Sequence, residues 1–380
     1  MTTLIPRSDD DTDLDDLRRE VRAFLDQQRR DGLFTARTDS WGDGWDAQFS
    51  RALAAQGWVG MTVPTRYDGR GRSFVERFAV TEELLAAGAP VSAHWVADRQ
   101  VAPSLLRHGT EAQRERFLPP ITRAEHFWAI GMSETEAGSD LAAVRTKASK
   151  VEGGWRLSGT KLWTSGAHHA HFFIVLARTA PVDSAHRHAG LSQFIVPLDA
   201  SGIRISPVLN MSGAHHFNEV VLDDVFVEDD MLLGEEGAGW SQVTAELGYE
   251  RSGPERFLSA YALLTAALQG VRDGTVPEDP RLGALLARHV GLHHMSRAVA
   301  SALQSGLEAD TAAAVVKLLG TQTEGDVVDV VDELIGPDSA TPTTLADLLH
   351  GGIMNRPGFT IRGGTTQVLS GVVARGLGLR

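Results

Sequence analysis

Two short stretches in the middle of the chain contain the residue types that could bind a polar ligand. They read MSETEAGSDL and GTKLWTS, at residues 132–141 and 159–165. Ser133 and Ser139 offer hydroxyl groups, and Gly138 lets backbone N–H groups approach a ligand closely. Trp163 adds a flat aromatic face. These groups could cradle an anion or hold a polar ring.

The sequence around both stretches predicts β-structure. An apolar run from Phe127 to Met132 leads into the first stretch, and residues 142–150 then have the alternating character of a strand. A Gly-Gly turn that begins at Gly153 separates this segment from a second strand-like segment, residues 155–163. This is the pattern of short strands bounded by turn residues.

The two stretches resemble the flavin-binding signature of the acyl-CoA dehydrogenase family, because two of its motifs occur in the right order and at the right separation. The first is similar to the family's (S/T)EP-x-AGSD loop, and the second to its G-x-K-x-W-(I/T)-(T/S) strand. Thr135 stands where the family usually has proline, which loosens the turn without removing an obvious ligand. The resemblance implies FAD as the cofactor and an acyl-CoA thioester as the substrate.

The resemblance also implies roles for residues of the first loop. Met132 and Ser133 would line the isoalloxazine ring, with the Ser133 hydroxyl donating to a ring acceptor. Gly138 would bring the backbone close to the cofactor. Ser139 would contact either the flavin pyrophosphate or the CoA portion of the substrate.

Four further residues match the family's flavin site. Trp163 would pack on the flavin, and Ser165 would form a hydrogen bond near its N5 atom. Thr365 and Gln367 lie in the segment IRGGTTQV, which resembles the end of that site. Backbone N–H groups at the start of the helix that follows would suit a phosphate or a polar ring.

The chemistry of the family requires a carboxylate that removes the α-proton of the thioester while hydride passes from the β-carbon to N5 of FAD. Burial beside an apolar pocket would raise the pKa of such a carboxyl group into the working range. One of the two family positions for this base is Gly363 here, which cannot act as one. The other is Glu250, followed by Arg251 as in relatives of the isovaleryl-CoA dehydrogenase type. We therefore expect Glu250 to be the catalytic base.

Two alternatives for this helix remain open. Glu246, one turn earlier, is the rival base, and a glutamate on a helix is most often an ordinary surface residue. Arg251 resembles a family position that helps to fix the CoA portion of the substrate. Relatives with the base on this helix act on branched, long or bulky acyl groups. The resemblance does not identify which of these acyl groups this chain would accept.

The composition excludes several other classes of protein. With 380 residues and 42% hydrophobic side chains, the chain is long enough for two or three packed domains. Its net charge of −13 argues against nucleic acid or an anionic membrane as a partner. It contains no cysteine, which rules out disulfides, thiolate metal sites and cysteine nucleophiles. No secretory signal or membrane-spanning run is evident, so we expect a cytoplasmic protein.

The chain reads as helices, then strands, then helices, which indicates an α+β fold with separate layers or domains rather than a βαβ sheet. No GxGxxG motif follows a strand, which argues against a Rossmann-type flavin site. The family has the same order, with an N-terminal helical domain, a middle β-domain and a C-terminal four-helix bundle. We predict these domains at residues 1–125, 126–232 and 233–380, with an acidic tail at 1–12.

Several histidines raise the question of a metal site. His94 and Asp98 fall four residues apart, as a metal-binding pair on a helix would. Two further clusters consist of His168, His169, His171, His215 and His216. None of these groups has a third ligand at regular spacing. We therefore expect structural or surface histidines and no metal.

Two family features are weakened toward the C-terminus. The RxxFG motif, which contacts the flavin of a neighbouring subunit, is replaced by DGTVPEDPRLGALLARH, and the GGxGF turn is reduced to Gly336-Pro337-Asp338. Family members are mostly homotetramers, and the resemblance implies an electron-transfer flavoprotein as the electron acceptor. The two losses make a mixed hetero-tetramer the alternative to a homo-tetramer. A non-catalytic subunit and an oxygen-using flavoenzyme of the same fold are the rival functions.

Overall fold

The computed structural model describes residues 13–379 except 252, 308 and 337–341, and for residues 246–251 it describes the backbone alone. The helices are α1 (Asp15–Arg30), α2 (Ser40–Asp43), α3 (Ala47–Gln56), α4 (Phe74–Ala86), α5 (Ser92–Val96), α6 (Ala102–His108), α7 (Glu111–Thr122), α8 (Gly239–Arg251), α9 (Tyr261–Arg272), α10 (Pro280–Gln304), α11 (Asp310–Ile335), α12 (Thr343–Phe359) and α13 (Thr366–Gly376). The strands are β1 (Trp128–Gly131), β2 (Lys147–Val151), β3 (Gly154–Lys161), β4 (Phe172–Arg178), β5 (Leu191–Pro197), β6 (Ile203–Leu209), β7 (His215–Glu228) and β8 (Leu232–Leu233).

The chain packs as two compact units, and the strands belong to the unit made of residues 50–71 and 93–247. Within the described residues its strands form one eight-stranded sheet in the order β6-β7-β3-β2-β4-β5-β8, with β1 paired in parallel to β4. β4 and β5 are buried along almost their whole length, and their apolar residues form the centre of the core. Strands that are buried along their length read as continuous apolar runs. β3 pairs with the second half of β7, and its last three residues, 159–161, are the first residues of the second stretch.

The other unit is helical and consists of residues 1–49, 72–92 and 248–380. Its core is formed by apolar side chains of α9 to α12. α4 begins with a capping box, in which Ser73 and Glu76 satisfy each other's backbone N–H groups. α1 is held on α4 by ion pairs of Arg18 with Glu82 and Glu83, each at 2.7 Å.

The structure confirms the predicted order of helices, strands and helices, and it corrects some details. Residues 141–143 form a 3-10 turn, and β2 begins only at Lys147, because the backbone N–H groups just before it are bound by a side chain. β6 was not predicted, since Pro207 and its half-exposed side chains weaken the strand pattern. The domain limits at 125 and 232 stay predictions, and the tail at 1–12 and the turn residues 337–338 lie outside the described residues. No described helix has the length and apolar character that crossing a membrane requires.

Candidate active site

Glu134 closes the loop that follows β1. Its carboxylate accepts hydrogen bonds from the backbone N–H of Arg145 at 2.7 Å, from that of Thr146 at 2.9 Å and from the Thr146 hydroxyl at 2.6 Å. Its own backbone exchanges two hydrogen bonds with Ala137, at 2.9 and 3.2 Å. One side chain therefore ties the whole loop back onto the start of β2.

Lys161 on β3 joins the two stretches, residues 132–141 and 159–165. Its side chain is fully buried, and Nζ donates to Glu134 Oε1 at 2.8 Å and to the Met132 carbonyl at 3.1 Å. The next residue, Leu162, donates its N–H to the Ser133 carbonyl at 2.9 Å. Three hydrogen bonds thus fix the first loop against the strand that leads into the tryptophan of the second stretch.

The two charges of this pair control each other's ionisation. Burial lowers the pKa of Lys161 to about 8, although the charge of Glu134 opposes the shift. Burial also acts to raise the pKa of Glu134, but the positive charge of Lys161 and the hydrogen bonds to the carboxylate outweigh it and hold that pKa below its usual range. Both groups are therefore charged at neutral pH, and removal of either one would leave a buried charge without its partner.

Two glycines of the motifs serve different purposes. A Cβ atom at Gly159 would lie 2.3 Å from Thr146 Oγ1 and 2.7 Å from Thr146 Cα, so only glycine leaves room for the threonine that binds Glu134. A Cβ atom at Gly138 would meet no protein atom within 4 Å. The space beside the Gly138 backbone is open, as the approach of a ligand to that backbone requires.

Trp163 is held in an unusual position at the end of β3. Its backbone has a φ of 62°, in the left-handed region that large residues rarely adopt. Its side chain is 54% exposed, and the ring packs edge-on against Phe217 with 5.5 Å between centroids. Such strain persists only where the surrounding structure fixes it, and it concentrates at ligand sites.

The remaining predicted residues of this unit lie where a ligand could reach them. Met132, Ser133 and Ser165 are partly exposed, and Ser139 is exposed. Ser133 is brought beside the second stretch by the hydrogen bond from Leu162. Hydroxyl groups and a flat indole face are therefore available together with the open space at Gly138.

Thr365 and Gln367 belong to the helical unit. Thr365 is the N-cap of α13, and its hydroxyl accepts a hydrogen bond from the Val368 N–H at 3.3 Å. Gly363 and Gly364 have φ values of 69° and 102°, a backbone conformation that favours glycine. Gln367 is exposed at the first turn of the helix. The helix start that the resemblance implies is present, and its contact with FAD stays a prediction.

Buried charges anchor the loop that precedes α13. Arg362 donates to Asp39, and its Nη2 lies 3.7 Å from Glu324 Oε2. Burial raises the pKa of Glu324 to about 7, in spite of the opposing charge of Arg362. Lys317, which is fully buried, donates to the Gly364 carbonyl. The glycine pair is therefore held from two sides by side chains of the same helical unit.

Glu250, Arg251 and the rival Glu246 lie on α8, which ends at Arg251. Their side chains lie outside the described part of the structure. Their roles as base, CoA contact and rival base therefore stay predictions.

The histidines and acids that raised the question of a metal have protein partners instead. His94 Nδ1 lies 2.8 Å from Ser50 Oγ, and Asp98 accepts the Gly60 N–H at 2.8 Å. Burial lowers the pKa of His94 to about 4, so this ring is neutral. Among the residues that the structure describes, no group of three potential metal ligands is found.

Comparison with known proteins decides the family. The family model for the acyl-CoA dehydrogenase N-terminal domain matches residues 11–125, and that for the middle domain matches residues 129–225. The chain is 32% identical to the acyl-CoA dehydrogenase IpdE1 of Mycobacterium tuberculosis over 380 residues, which covers 97% of this chain and 98% of that protein. The chain belongs to the acyl-CoA dehydrogenase family.

Solved structures agree with this assignment. The structure described as Tcur3481-Tcur3483 steroid ACAD is 28% identical, with a TM-score of 0.83 and 97% of each chain covered. The ChsE4-ChsE5 complex from Mycobacterium tuberculosis is 28% identical, with a TM-score of 0.81, 96% of this chain and 97% of that chain covered. Some relatives are longer, and the chain spans only 45% of one that is 35% identical over 333 residues.

The acyl-CoA dehydrogenase assignment makes the chain an FAD-dependent oxidoreductase of lipid metabolism and confirms the predicted fold class, with N-terminal helices, a middle β-sheet and C-terminal helices. The residues of the sheet unit fit a flavin. An exposed indole face at Trp163, hydroxyls at Ser133 and Ser165 and open space at Gly138 are the donors and surfaces that an aromatic, phosphate-bearing cofactor needs.

Three residues that hold the two stretches in place were not predicted from the sequence. Glu134 and Lys161 stand inside the two motifs, and the signal was three acids in the first motif, Glu134 among them, and a single base in the second. Lys161 follows the buried Leu157 at an even spacing on β3, which places a charge on the buried face of the strand. Asn218 has no such signal, because it lies more than fifty residues beyond the motif that it contacts.

Proposed function

We propose that this acyl-CoA dehydrogenase oxidises an acyl-CoA thioester between its α and β carbons, with Glu250 removing the α-proton. When bound, FAD would accept the hydride from the β-carbon at N5, so that loss of the proton and the hydride leaves a carbon–carbon double bond. The observation that supports this proposal is the buried ion pair of Glu134 and Lys161, which keeps the two flavin motifs joined.

The choice of Glu250 is supported by the residue at the other family position for the catalytic base, which is Gly363 here. Gly363 has no carboxylate and adopts a φ of 69°, so the loop itself is built for glycine. A base must then come from elsewhere, and Glu250 on α8 matches the second family position together with Arg251. Its task is to receive the α-proton, while Arg251 would hold the CoA portion.

The residues of the two stretches would position the cofactor. Trp163 would stack on the flavin ring and Ser165 would donate a hydrogen bond near N5. Met132 and Ser133 would line the ring, and the hydroxyl of Ser139 would meet the pyrophosphate or CoA. The backbone at Gly138 would approach the phosphate, and Thr365 and Gln367 would contact FAD at the start of α13.

A pair of variants tests the base. Glu250→Gln keeps the size and polarity of the side chain, so we expect unchanged FAD content and thioester binding but a loss of turnover of about 10²–10⁴-fold. Glu246→Gln, one turn earlier on the same helix, is the matched control and should retain turnover. Near-normal turnover in Glu250→Gln, or a selective loss in Glu246→Gln, would contradict the assignment.

For the substrate, we infer a bulky acyl group. The solved relative described as a steroid ACAD and the position of the base on α8 both support this choice. A panel of short, branched, long-chain and steroid-derived CoA thioesters would test it by comparing kcat/KM.

We propose an electron-transfer flavoprotein as the electron acceptor. Rapid reoxidation of the reduced enzyme by oxygen would instead favour the oxygen-using alternative.

A second function has support of its own. One solved relative is a complex of two different chains, and the FAD contact of the RxxFG motif is missing here, so a mixed tetramer is the alternative to a homo-tetramer. FAD content of the chain purified alone separates the two. Stoichiometric FAD favours a complete enzyme, whereas FAD that appears only on co-expression with a second homologue favours a shared site.

A further inference from the structure

Asn218 at the start of β7 is a buried polar residue that the proposed reaction does not use. Its backbone and that of Thr164 exchange two hydrogen bonds, each 3.0 Å long. Its side-chain Nδ2 donates a third hydrogen bond to the same Thr164 carbonyl, at 2.9 Å. One fully buried residue therefore binds the backbone of Thr164 three times.

Two histidines fix the direction of the Asn218 amide. Nδ2 lies 3.0 Å from His168 Nδ1, and Oδ1 lies 2.7 Å from His215 Nε2. Nδ2 already donates to the Thr164 carbonyl, so the amide is consistent with one orientation only, in which His168 accepts and His215 donates. The two imidazole rings stack, with 3.7 Å between centroids and 16° between planes. Burial, together with His169 and His215, lowers the pKa of His168 to about 4, so its Nδ1 is free to accept at neutral pH.

The clamped residue lies between the two flavin contacts expected of the second stretch. Trp163 precedes Thr164 and carries the left-handed backbone, and Ser165 follows it. The Trp163 ring also rests on Phe217, the neighbour of Asn218 on β7. β7 thus holds the tryptophan ring through one residue and the adjoining peptide through the next.

We propose that Asn218 is a positioning residue for FAD, which sets the orientation of Trp163 and Ser165 by fixing the peptide of Thr164. It acts through these residues and does not itself touch the cofactor. The inference rests on the proposed placement of the flavin at Trp163 and Ser165. The side chain adds this control beyond ordinary strand pairing, because the two backbone bonds to Thr164 would survive its replacement.

Two substitutions remove the clamp in different ways. Asn218→Asp keeps the acceptor for His215 but replaces the donor with an oxygen that faces the Thr164 carbonyl. Asn218→Ala removes both groups and leaves a small space. Asn210→Ala is the matched control, because Asn210 lies in the turn between β6 and β7 and its partly exposed side chain accepts hydrogen bonds from Ser212 and Ala214 of that turn.

The measurements are FAD affinity of the apoprotein, the visible spectrum of the bound flavin and the separate values of kcat and KM. Each Asn218 variant loses the side-chain hydrogen bond to Thr164. If FAD binding weakens by about the free energy of one hydrogen bond, the FAD dissociation constant rises about tenfold. We also expect a changed flavin band and a fall in kcat with little change in KM, while Asn210→Ala resembles the wild type.

Three outcomes would overturn the inference. Wild-type FAD affinity and spectrum in a folded Asn218 variant would show that the clamp does not position the flavin. Failure of both variants to fold, with Asn210→Ala folded, would show a purely structural role. Absence of FAD from the wild-type chain under all conditions would overturn the proposed site itself, whereas the first two outcomes leave it standing.

Discussion

Substitution of Glu134 by glutamine is the sharpest test of how the two motifs are joined. The variant leaves Lys161 fully buried, with the Met132 carbonyl at 3.1 Å as its remaining partner among the described contacts. Breaking a buried ion pair by removing one partner typically costs about 3–5 kcal/mol. Lys161 can limit this cost by losing its proton. For a lysine with an ordinary pKa of about 10.4, deprotonation at pH 7 costs about 4.6 kcal/mol. This value is the upper limit for the stability that the variant loses through the unpaired charge of Lys161.

The pH dependence follows from the sign of the shift. Without Glu134, the pKa of Lys161 in the folded state falls further below its unfolded value, so the folded state binds fewer protons than the unfolded state. Stability of the variant therefore rises with pH between the folded and unfolded pKa values. In the wild type, burial lowers the pKa of Lys161 to about 8, so its stability begins to rise with pH only from about pH 8. The deficit of the variant should be largest at the acid end of the range, shrink as the pH rises to about 8, and stay constant above that, where both proteins gain stability in parallel.

The assay is urea unfolding followed by circular dichroism from pH 6 to pH 10, at a fixed excess of free FAD and again without it. The double variant Glu134→Gln/Lys161→Met removes both charges and should recover much of the loss. Asp229→Asn, which removes the partner of the exposed Lys150 on β2, is the matched control and should change little. A deficit below about 1 kcal/mol in Glu134→Gln, or a double variant as unstable as the single one, would refute the reasoning.

Three further predictions concern glycines and buried charge. Gly159→Ala should destabilise the protein by about 1–3 kcal/mol, because the new Cβ would lie 2.3 Å from Thr146 Oγ1, and an unchanged thermal midpoint would contradict this. Gly138→Ala should leave stability unchanged but weaken FAD binding, as measured by fluorescence titration, and equal FAD affinity would contradict it. Glu324→Gln should change the pH profile of unfolding. The folded pKa of about 7 lies above the unfolded value, so wild-type stability falls as pH rises from about 4.5 to 7. The variant should gain up to about 3 kcal/mol relative to the wild type over that range, and parallel profiles would contradict it.

The order of elements could be predicted from the sequence because each segment carries a local signal. The apolar run of β4 has the composition of a buried strand, and the helix that begins at Pro280 follows an Asp N-cap. Gly253 and Pro254 disfavour a continuous helix, and they lie between α8 and α9. β6 lacked such a signal, since its side chains are mostly half-exposed.

The site could be predicted only where its residues stand in the motifs. The sequence pointed to Trp163 and Ser133 but gave no indication of the left-handed backbone at Trp163, which depends on contacts with β7. Asn218 was missed because its partner at Thr164 is far away in sequence. Long-range hydrogen bonds of this kind depend on strand register, which short patterns do not specify.

The central claim is that the chain oxidises an acyl-CoA thioester with FAD and uses Glu250 as the base. The most direct measurement is an anaerobic visible spectrum of the purified protein during titration with the panel of CoA thioesters, for the wild type and for Glu250→Gln. We predict that at least one bulky thioester bleaches the flavin band of the wild type and leaves that of Glu250→Gln unchanged. Equal bleaching in both proteins, or a flavin that no thioester of the panel reduces, would contradict it.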